Sequence, residues 1–326
     1  MTEKHDVLSM TDLAADLPRL LERASELKAM RKARTPYRPL EGRYLAMIFE
    51  KPSTRTRSSF EIAMTDLGGH AVYLSPKEMQ LGRGETVADT ARVLSRYYDA
   101  IMYRAYRHTD MVELAKWSSI PVINGLDDAE HPCQIAADLL TLWERWGGSF
   151  RGRRLAYIGD GNNVLNSLLL GTAIAGLDFV AAIPEGYRPK APLVAQARAI
   201  ARTTGAHLEI VRDPREAAKG SDVLYTDVWV SMGDEAEEAQ RKAAFQGYQI
   251  SAELLRAARP GAFAMHDLPA HRGLEITDEV MDGESQAIWD QAENRLHAQK
   301  AILEWALVGT PPAARAPRPP GKGKAR

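Results

Sequence analysis

Residues 44–67, YLAMIFEKPSTRTRSSFEIAMTDL, are the stretch that decides the fold class. The run Tyr44–Phe49 is short and apolar, as expected of a buried strand, whereas Ser58–Leu67 repeats apolar residues at helical spacing. The polar run Ser53-Thr54-Arg55-Thr56-Arg57 lies between them. A strand followed directly by a helix predicts an α/β fold, with this polar run at the helix N-terminus.

The polar run has the composition of an anion site. The first N–H groups of a helix lack partners within the helix, and the helix dipole is positive at that end. Arg55 adds a planar set of donors suited to phosphate. A solvated arginine beside a hydroxyl that only caps the helix is the open alternative. No G-x-x-x-x-G-K-[ST] pattern is present, so a mononucleotide hydrolase is disfavoured.

Composition limits the possible partners. A length of 326 residues suggests two domains with a cleft between them. A net charge of −1 gives no support for nucleic acid or membrane partners. The single cysteine, Cys133, excludes an intrachain disulfide and a cysteine-based zinc site. We therefore expect a cytoplasmic protein, in agreement with an N-terminus that lacks the pattern of a signal peptide.

Short apolar runs alternate with helical patterns along the chain. This alternation predicts two α/β domains, each with a mainly parallel sheet flanked by helices, and an active site in the cleft between them. The predicted strands are 44–49, 71–74, 100–103, 122–124, 154–158, 179–183, 207–211, 223–226 and 262–266. The predicted regions are a first domain at 1–147, a second at 148–289, a C-terminal helix at 290–309 packing back on the first domain, and a disordered basic tail at 310–326.

Gly159-Asp160-Gly161 follows a predicted strand and resembles the start of a dinucleotide fingerprint. The third glycine position is occupied by Val164, so the fingerprint fails. Asn162 and Asn163 instead place two amides at the carboxyl end of a strand, where open α/β sheets bind ligands. A pair of asparagines that only forms a turn is the alternative at this point.

Five separated motifs occur in a fixed order: FEKPSTRTRSSFE, EHPCQIAADLLT, DVWVSMGDE, MHDLPAHRG and AENRLHAQKA. Together they resemble the aspartate/ornithine carbamoyltransferase family, on its ornithine branch, over about Asp12 to Gly309. The resemblance implies transfer of a carbamoyl group from carbamoyl phosphate to the side-chain amine of ornithine, giving citrulline. It also implies two α/β domains, no metal or other cofactor, and a trimer as the basic unit.

The same resemblance implies a role for particular residues. The phosphate would be held by Ser53, Thr54, Arg55 and Thr56. The carbamoyl group would be contacted by Arg104, which also reaches the phosphate, and by His131, Gln134 and Arg295. A loop entering the adjacent subunit's site would contribute Gln80 and Arg83. Ornithine would be bound by Asn163, Asp227, Ser231 and Met232, next to Asp267 and Leu268.

One position departs from the family pattern. Where the family has His-Cys-Leu-Pro, this chain has His266-Asp267-Leu268-Pro269. An ionised Asp267 would repel the phosphate and hold the reacting amine as ammonium, whereas a neutral Asp267 could donate a hydrogen bond. Three interpretations remain at this point: a tolerated variant, a different amine substrate or direction of use, or reduced activity. A homologue that binds carbamoyl phosphate without catalysis is a separate alternative.

The residues of the motifs in the second half of the chain indicate which amine is the substrate. The Ser231-Met232-Gly233 loop favours an α-amino acid over a plain diamine, and it argues against an aspartate carbamoyltransferase. Asp227 disfavours acetylated ornithine, since a carboxylate there would meet a free ammonium. We interpret Cys133 as core packing, and His271 and Arg272 as structural.

Overall fold

The computed structural model describes residues 4–75, 79–81, 84–231 and 235–309. Arg83, Met232 and the predicted tail at 310–326 lie outside the described residues. Among the helices within these ranges, none has the length and apolar content that a bilayer crossing requires.

The first sheet is parallel, with its strands in the order β2-β1-β3-β4. Each strand leads into a helix, as parallel pairing requires. The strands are β1 (Tyr44–Phe49), β2 (His70–Leu74), β3 (Ala100–Arg104) and β4 (Val122–Leu126). The helices are α1 (Leu17–Lys32), α2 (Thr54–Asp66), α3 (Val87–Tyr97), α4 (His108–Trp117) and α5 (Pro132–Arg145), after a 3-10 turn at Met10–Leu13.

The second sheet is also parallel, in the order β7-β6-β5-β8-β9. Its strands are β5 (Arg154–Ile158), β6 (Asp178–Ala182), β7 (Leu208–Val211), β8 (Val223–Thr226) and β9 (Phe263–His266). Its helices are α6 (Asn163–Ala175), α7 (Ala191–Thr204), α8 (Pro214–Ala218), α9 (Glu238–Ala244), α10 (Ala252–Arg256) and α11 (Asp278–Asp282), with a 3-10 turn at Glu235–Glu237.

The predicted fold class is confirmed, and the predicted strands agree with the observed ones to within two residues. The strands were recognisable because their apolar runs are buried on both faces, as in β3 and β8. The last helix, α12 (Ile288–Val308), follows the second sheet in sequence but packs against α1, α2 and α5 of the first unit.

The two units share a continuous apolar core. Helix α5 is buried along most of its length and contacts α6 of the second unit. Gly171 of α6 faces Ile135 of α5, and a Cβ at position 171 would lie 2.5 Å from the Ile135 Cγ2 methyl. The absence of a side chain therefore allows the two helices to approach closely. This contact fixes the two sheets with the carboxyl ends of their strands facing one cleft.

Candidate active site

The cleft between the two sheets encloses about 940 Å³. Its walls come from the segments that follow β1, β3 and β4 in the first unit and β5, β8 and β9 in the second. All of these are carboxyl ends of parallel strands, the usual ligand-binding edge of such sheets. The predicted site residues that line the cleft are Ser53, Thr54, Arg55, Thr56, Arg104, His131, Gln134, Asn163, Asp227, Ser231, Asp267, Leu268 and Arg295.

Not every predicted residue reaches this cleft. Gln80 is exposed and is not among the described residues that line it. The contribution of its loop to an adjacent subunit stays a prediction. The predictions for Arg83 and Met232 fall on residues outside the described ranges.

The polar run of the first motif lies at the N-terminus of α2, as predicted, although the helix begins four residues earlier, at Thr54. Ser53 is the N-cap residue, and its hydroxyl accepts a hydrogen bond from the Thr56 amide at 3.3 Å. The capping interpretation therefore describes one contact of Ser53. It does not account for Thr54 and Arg55, which also line the cleft.

Guanidinium groups converge next to this helix end. The side chains of Arg104 and Arg295 are 5% and 4% exposed, and Arg55 lies beside them. Burial, together with the neighbouring Arg295 and Arg55, lowers the pKa of Arg104 to about 10. Burial also lowers the pKa of Arg295. Clustered cations withdrawn from water repel one another, so this part of the cleft favours a multiply charged anion.

Arg295 is held in place by neutral partners. It donates to Gln134 Oε1 at 2.5 Å and to Thr56 Oγ1 at 3.1 Å, so neither of these hydrogen-bond partners carries a negative charge. Arg104 Nε and Arg295 Nε are buried and lack a hydrogen-bond partner within the described part of the chain. Buried donors without partners are rare in folded proteins, and here they belong to side chains that line the cleft.

His131 is the N-cap residue of α5, and its amide donates to Ser167 Oγ at 2.9 Å. Burial, reinforced by the positive charges of Arg295 and Arg104, lowers the pKa of His131 well below its usual value. The imidazole is therefore neutral at physiological pH. Its Nδ1 atom is buried and has no partner among the described residues, so His131 is not a core histidine satisfied by its neighbours.

On the opposite wall, Asp227 follows β8 and is fixed by two donors. Val228 N donates to Oδ1 and Asn162 Nδ2 donates to Oδ2, each at 2.7 Å. Asn162 also caps α6, because its Oδ1 accepts from the amides of Val164 and Leu165. The two asparagines therefore have different roles. Asn162 is the structural residue, because it caps α6 and holds Asp227, whereas Asn163 lines the cleft.

Asp267 lies close to Asp227, and its side chain is 8% exposed. Burial, followed by repulsion from Asp227, raises the pKa of Asp267 well above its usual value. Asp227 accepts two hydrogen bonds, whereas Asp267 Oδ1 is buried without a partner among the described residues, so we place the proton on Asp267. The structure therefore favours the neutral alternative for the residue that departs from the family pattern.

The structural roles of His266 and Glu275 at the cleft were not predicted from the sequence. His266 Nδ1 accepts from the Leu268 amide at 2.9 Å, and His266 Nε2 lies 3.1 Å from Glu275 Oε1. Both side chains are fully buried. They hold Leu268, which has the unusual φ of 61°, in position at the cleft. No local pattern reveals this, because the partners are brought together by a loop.

Among the described residues, the group of His and acidic side chains close enough to share a metal ion is Asp227, His266 and Asp267. Their candidate ligand atoms lie within 4.8 Å of one another. The lone pair of His266 Nδ1 is already used by the Leu268 amide, however. A proton on Asp267 removes the repulsion between the two carboxyl groups at this distance.

Two predicted structural residues behave as expected. Cys133 is fully buried, its thiol donates to Asn124 O at 3.4 Å, and burial raises its pKa to about 12. Arg272 lies at the rim of the cleft but pairs with Asp278 and Asp282 at 2.9 and 2.7 Å. Further rim residues that the sequence analysis did not single out are Lys51, Glu238 and Lys242.

Family comparison covers both units. Residues 5–144 match the family described as "Aspartate/ornithine carbamoyltransferase, carbamoyl-P binding domain". Residues 151–306 match "Aspartate/ornithine carbamoyltransferase, Asp/Orn binding domain". The first match contains Ser53 to Gln134 and the second contains Asn163 to Arg295, so the two halves of the cleft fall in the two named domains.

Similar proteins cover nearly the whole chain. The chain is 51% identical over 305 residues to the anabolic ornithine carbamoyltransferase of Pyrococcus furiosus, with 93% of this chain and 96% of that one covered. It is 52% identical over 300 residues to the catabolic ornithine carbamoyltransferase of Thermoplasma volcanium, with 92% and 97% covered. A solved structure of the Pyrococcus furiosus ornithine carbamoyltransferase superposes with a TM-score of 0.91, covering 94% and 98%.

The protonation of Asp267 predicts how stability depends on pH in Asp267→Asn. The folded wild type keeps this proton while the unfolded chain loses it above about pH 4, so rising pH lowers its free energy of unfolding. D267N lacks this effect. We expect its stability relative to wild type to increase by up to roughly 1.4 kcal/mol per pH unit between about pH 4 and about pH 7 in urea unfolding.

Asp282→Asn is the matched control for that measurement. The pKa of Asp282 is lowered by hydrogen bonding to Arg272, so its ion pair stabilises the fold above the unfolded pKa and is lost in acid. D282N should therefore be less stable than wild type at neutral pH, with the difference vanishing as pH falls. A D267N curve parallel to wild type at every pH would mean that Asp267 is ionised.

Proposed function

The chain belongs to the aspartate/ornithine carbamoyltransferase family, and we propose that it is an ornithine carbamoyltransferase. It transfers the carbamoyl group of carbamoyl phosphate to the side-chain amine of L-ornithine, giving L-citrulline and phosphate. The observation that carries this proposal is the cleft itself, which combines buried guanidinium groups on one wall with the carboxyl groups of Asp227 and Asp267 on the other. One wall suits a phosphate and the other suits a cationic amino acid.

Carbamoyl phosphate binds at the first wall. Its phosphate accepts hydrogen bonds at the α2 N-terminus from Ser53, Thr54, Arg55 and Thr56. The convergence of Arg55, Arg104 and Arg295 supports this, because a dianion offsets both the burial and the mutual repulsion that lower the pKa of Arg104. Arg104 also reaches the carbonyl oxygen, so one cation stabilises the negative charge that develops on both groups in the transition state.

The carbamoyl group is oriented by neutral groups. His131 is neutral, so it polarises the carbonyl as a hydrogen-bond donor without acting as an acid. Gln134 presents its side-chain oxygen on the Arg295 side, where it accepts from the carbamoyl NH₂. Arg295 then contacts the carbonyl from the same side.

Ornithine binds at the second wall. Asp227 accepts from the α-ammonium group, and Asn163, Ser231 and Met232 bind the α-carboxylate. Leu268, which also lines the cleft, contacts ornithine next to Asp267. The ornithine-binding set follows the family motifs, and the two donors that fix the Asp227 carboxyl group support its role as the cation partner.

The reacting amine must lose its proton before it can attack the carbonyl carbon. Two ionised carboxylates would raise the pKa of the amine and keep it as ammonium. A neutral Asp267 leaves one negative charge next to the amine rather than two. The amine attacks directly, the bond from carbon to the phosphate oxygen breaks, and the departing phosphate takes the proton. No enzyme-bound intermediate is required.

We further propose a homotrimer in the cytoplasm. Support for the assembly comes from the exposed Gln80, which follows edge strand β2 in sequence, and from exposed apolar side chains on the first unit, including Ile62, Val72 and Tyr97. Light scattering should give about three times the chain mass of 36.0 kDa, and a monomer would contradict the assembly. The location rests on the free thiol of Cys133, and cell fractionation tests it.

The activity itself is tested by citrulline formation from carbamoyl phosphate and L-ornithine, with putrescine, lysine and aspartate as parallel acceptors. We expect citrulline with ornithine, rising from about pH 6 towards about pH 10 as the amine is deprotonated. Turnover of another amine alone would assign a sister activity. Binding of carbamoyl phosphate without product from any amine would identify a non-catalytic homologue.

Arg55→Ala tests the phosphate site. We expect a loss of at least about 2 kcal/mol of transition-state stabilisation, roughly thirtyfold in kcat/KM, by analogy with the loss of one oxyanion donor. Arg57→Ala is the matched control, because Arg57 lies over the Tyr73 ring at 4.1 Å and 3.7 Å from Glu61, away from the cleft lining. Near-normal turnover of R55A would contradict the assignment.

A further inference from the structure

Asp138 of α5 is fully buried and accepts hydrogen bonds from three side chains on different elements. Gln134 and Gln291 both donate to Oδ1 at 2.8 Å, and Tyr225 OH donates to Oδ2 at 2.9 Å. None of these donors is exposed by more than 1%. Asp138 does not line the cleft, yet it contacts a residue that does.

The partners of Gln134 determine which way its amide points. Arg295 can only donate hydrogen bonds, so the atom of Gln134 facing it must be the oxygen. An ionised Asp138 can only accept, so the atom facing it must be the nitrogen. The two contacts agree on one orientation. Removing the acceptor would leave the contact with Arg295 as the one of these two that still orients the amide.

Asp138 is an acceptor at neutral pH. Burial raises its pKa to about 6, opposed by the hydrogen bonds from Gln134, Gln291 and Tyr225 and by the charge of Arg295. The three donors that surround the carboxyl group agree with an ionised Asp138 at neutral pH. It is also a buried anion that acts on Arg295, which otherwise has neutral hydrogen-bond partners.

The same network reaches the second wall of the cleft. Gln291 of α12 accepts from the His266 amide at 2.9 Å through its Oε1. His266 ends β9 and directly precedes Asp267. Tyr225 belongs to β8, which leads into Asp227. The donors to Asp138 therefore fix the two strands that deliver the ornithine half of the site.

We propose that Asp138 is a positioning residue that holds the Gln134 amide with its oxygen toward the carbamoyl group, and that it ties this orientation to β8 and β9 through Tyr225 and Gln291. The inference deepens the proposed function and rests on it, because it presumes that Gln134 binds the carbamoyl NH₂. Asp138 touches neither substrate. It acts through Gln134.

Asp138→Asn is the main test, since it keeps the shape and removes an acceptor. An asparagine must offer N–H groups to at least one of the donors that now surround position 138, so the Gln134 amide is no longer fixed. We expect kcat/KM for carbamoyl phosphate to fall about tenfold, in the range of one lost charge-assisted hydrogen bond. The KM for ornithine should change by a smaller factor, because Asp138 reaches the ornithine wall only indirectly, through Tyr225 and Gln291.

A double-mutant cycle separates positioning from general damage. In a Gln134→Ala background, Asp138 has no amide to orient, so D138N should then change kcat/KM by less than about twofold. Equal losses in the wild-type and Q134A backgrounds would overturn the inference. They would mean that Asp138 acts independently of Gln134.

Thr141→Val is the matched control on the same helix. Thr141 is buried, donates to Ala137 O and accepts from Asn294 of α12, but it does not contact Gln134. T141V should lower thermal stability without changing kcat/KM for carbamoyl phosphate by more than about twofold. A tenfold loss in T141V would contradict the inference, because any weakened contact between α5 and α12 would then suffice.

Tyr225→Phe is the alternative test variant if D138N fails to fold. It removes one donor to Asp138 while keeping the ring, and we expect a loss of about threefold in kcat/KM that disappears in the Q134A background. Calorimetric binding of carbamoyl phosphate to the same proteins repeats the cycle without turnover. If the wild type binds carbamoyl phosphate but makes no citrulline, the proposed function is contradicted. The double-mutant cycle measured by binding then tests the positioning inference. A wild type that does neither would overturn both.

Discussion

The main physical constraint on the cleft is that guanidinium groups are buried together on one of its walls, which is energetically unfavourable without an anion. Arg104 and Arg295 are withdrawn from water beside Arg55, and the hydrogen-bond partners of Arg295 are neutral. Such a cluster is stable only because rigid elements hold it: the end of β3, the start of α2 and the middle of α12. A bound dianion would reduce the unfavourable free energy of burying these cations together, and this gain favours phosphate binding.

On the second wall, acidic rather than basic side chains are brought close together. Two carboxyl groups, Asp227 and Asp267, lie together where a cationic amino acid must bind and then lose a proton from its reacting amine. Donors from Asn162 and the Val228 amide hold the Asp227 carboxyl group in place, and burial raises the pKa of Asp267 well above its usual value. In the proposed function, Asp227 binds the α-ammonium group, and a neutral Asp267 avoids a second charge that would keep the nucleophile protonated.

Features set by local sequence were predictable. The polar run at 53–57 and the strand at 44–49 are adjacent in the chain, and their chemistry needs no distant partner. The state of Asp267 was left open, because it depends on Asp227 from a different strand. The network at Asp138 was missed, although its spacing of four from Gln134 on one helix was visible in the sequence.

The most direct test of the account uses a bisubstrate analogue in which a phosphonoacetyl group is joined to the side-chain amine of ornithine. Both walls must engage such a molecule at once. Calorimetry should show one molecule bound per chain, at least about a hundredfold more tightly than phosphate or ornithine alone, as expected of a transition-state mimic. Affinity no greater than that of either part would contradict the claim that the guanidinium cluster and the carboxyl pair form a single active site.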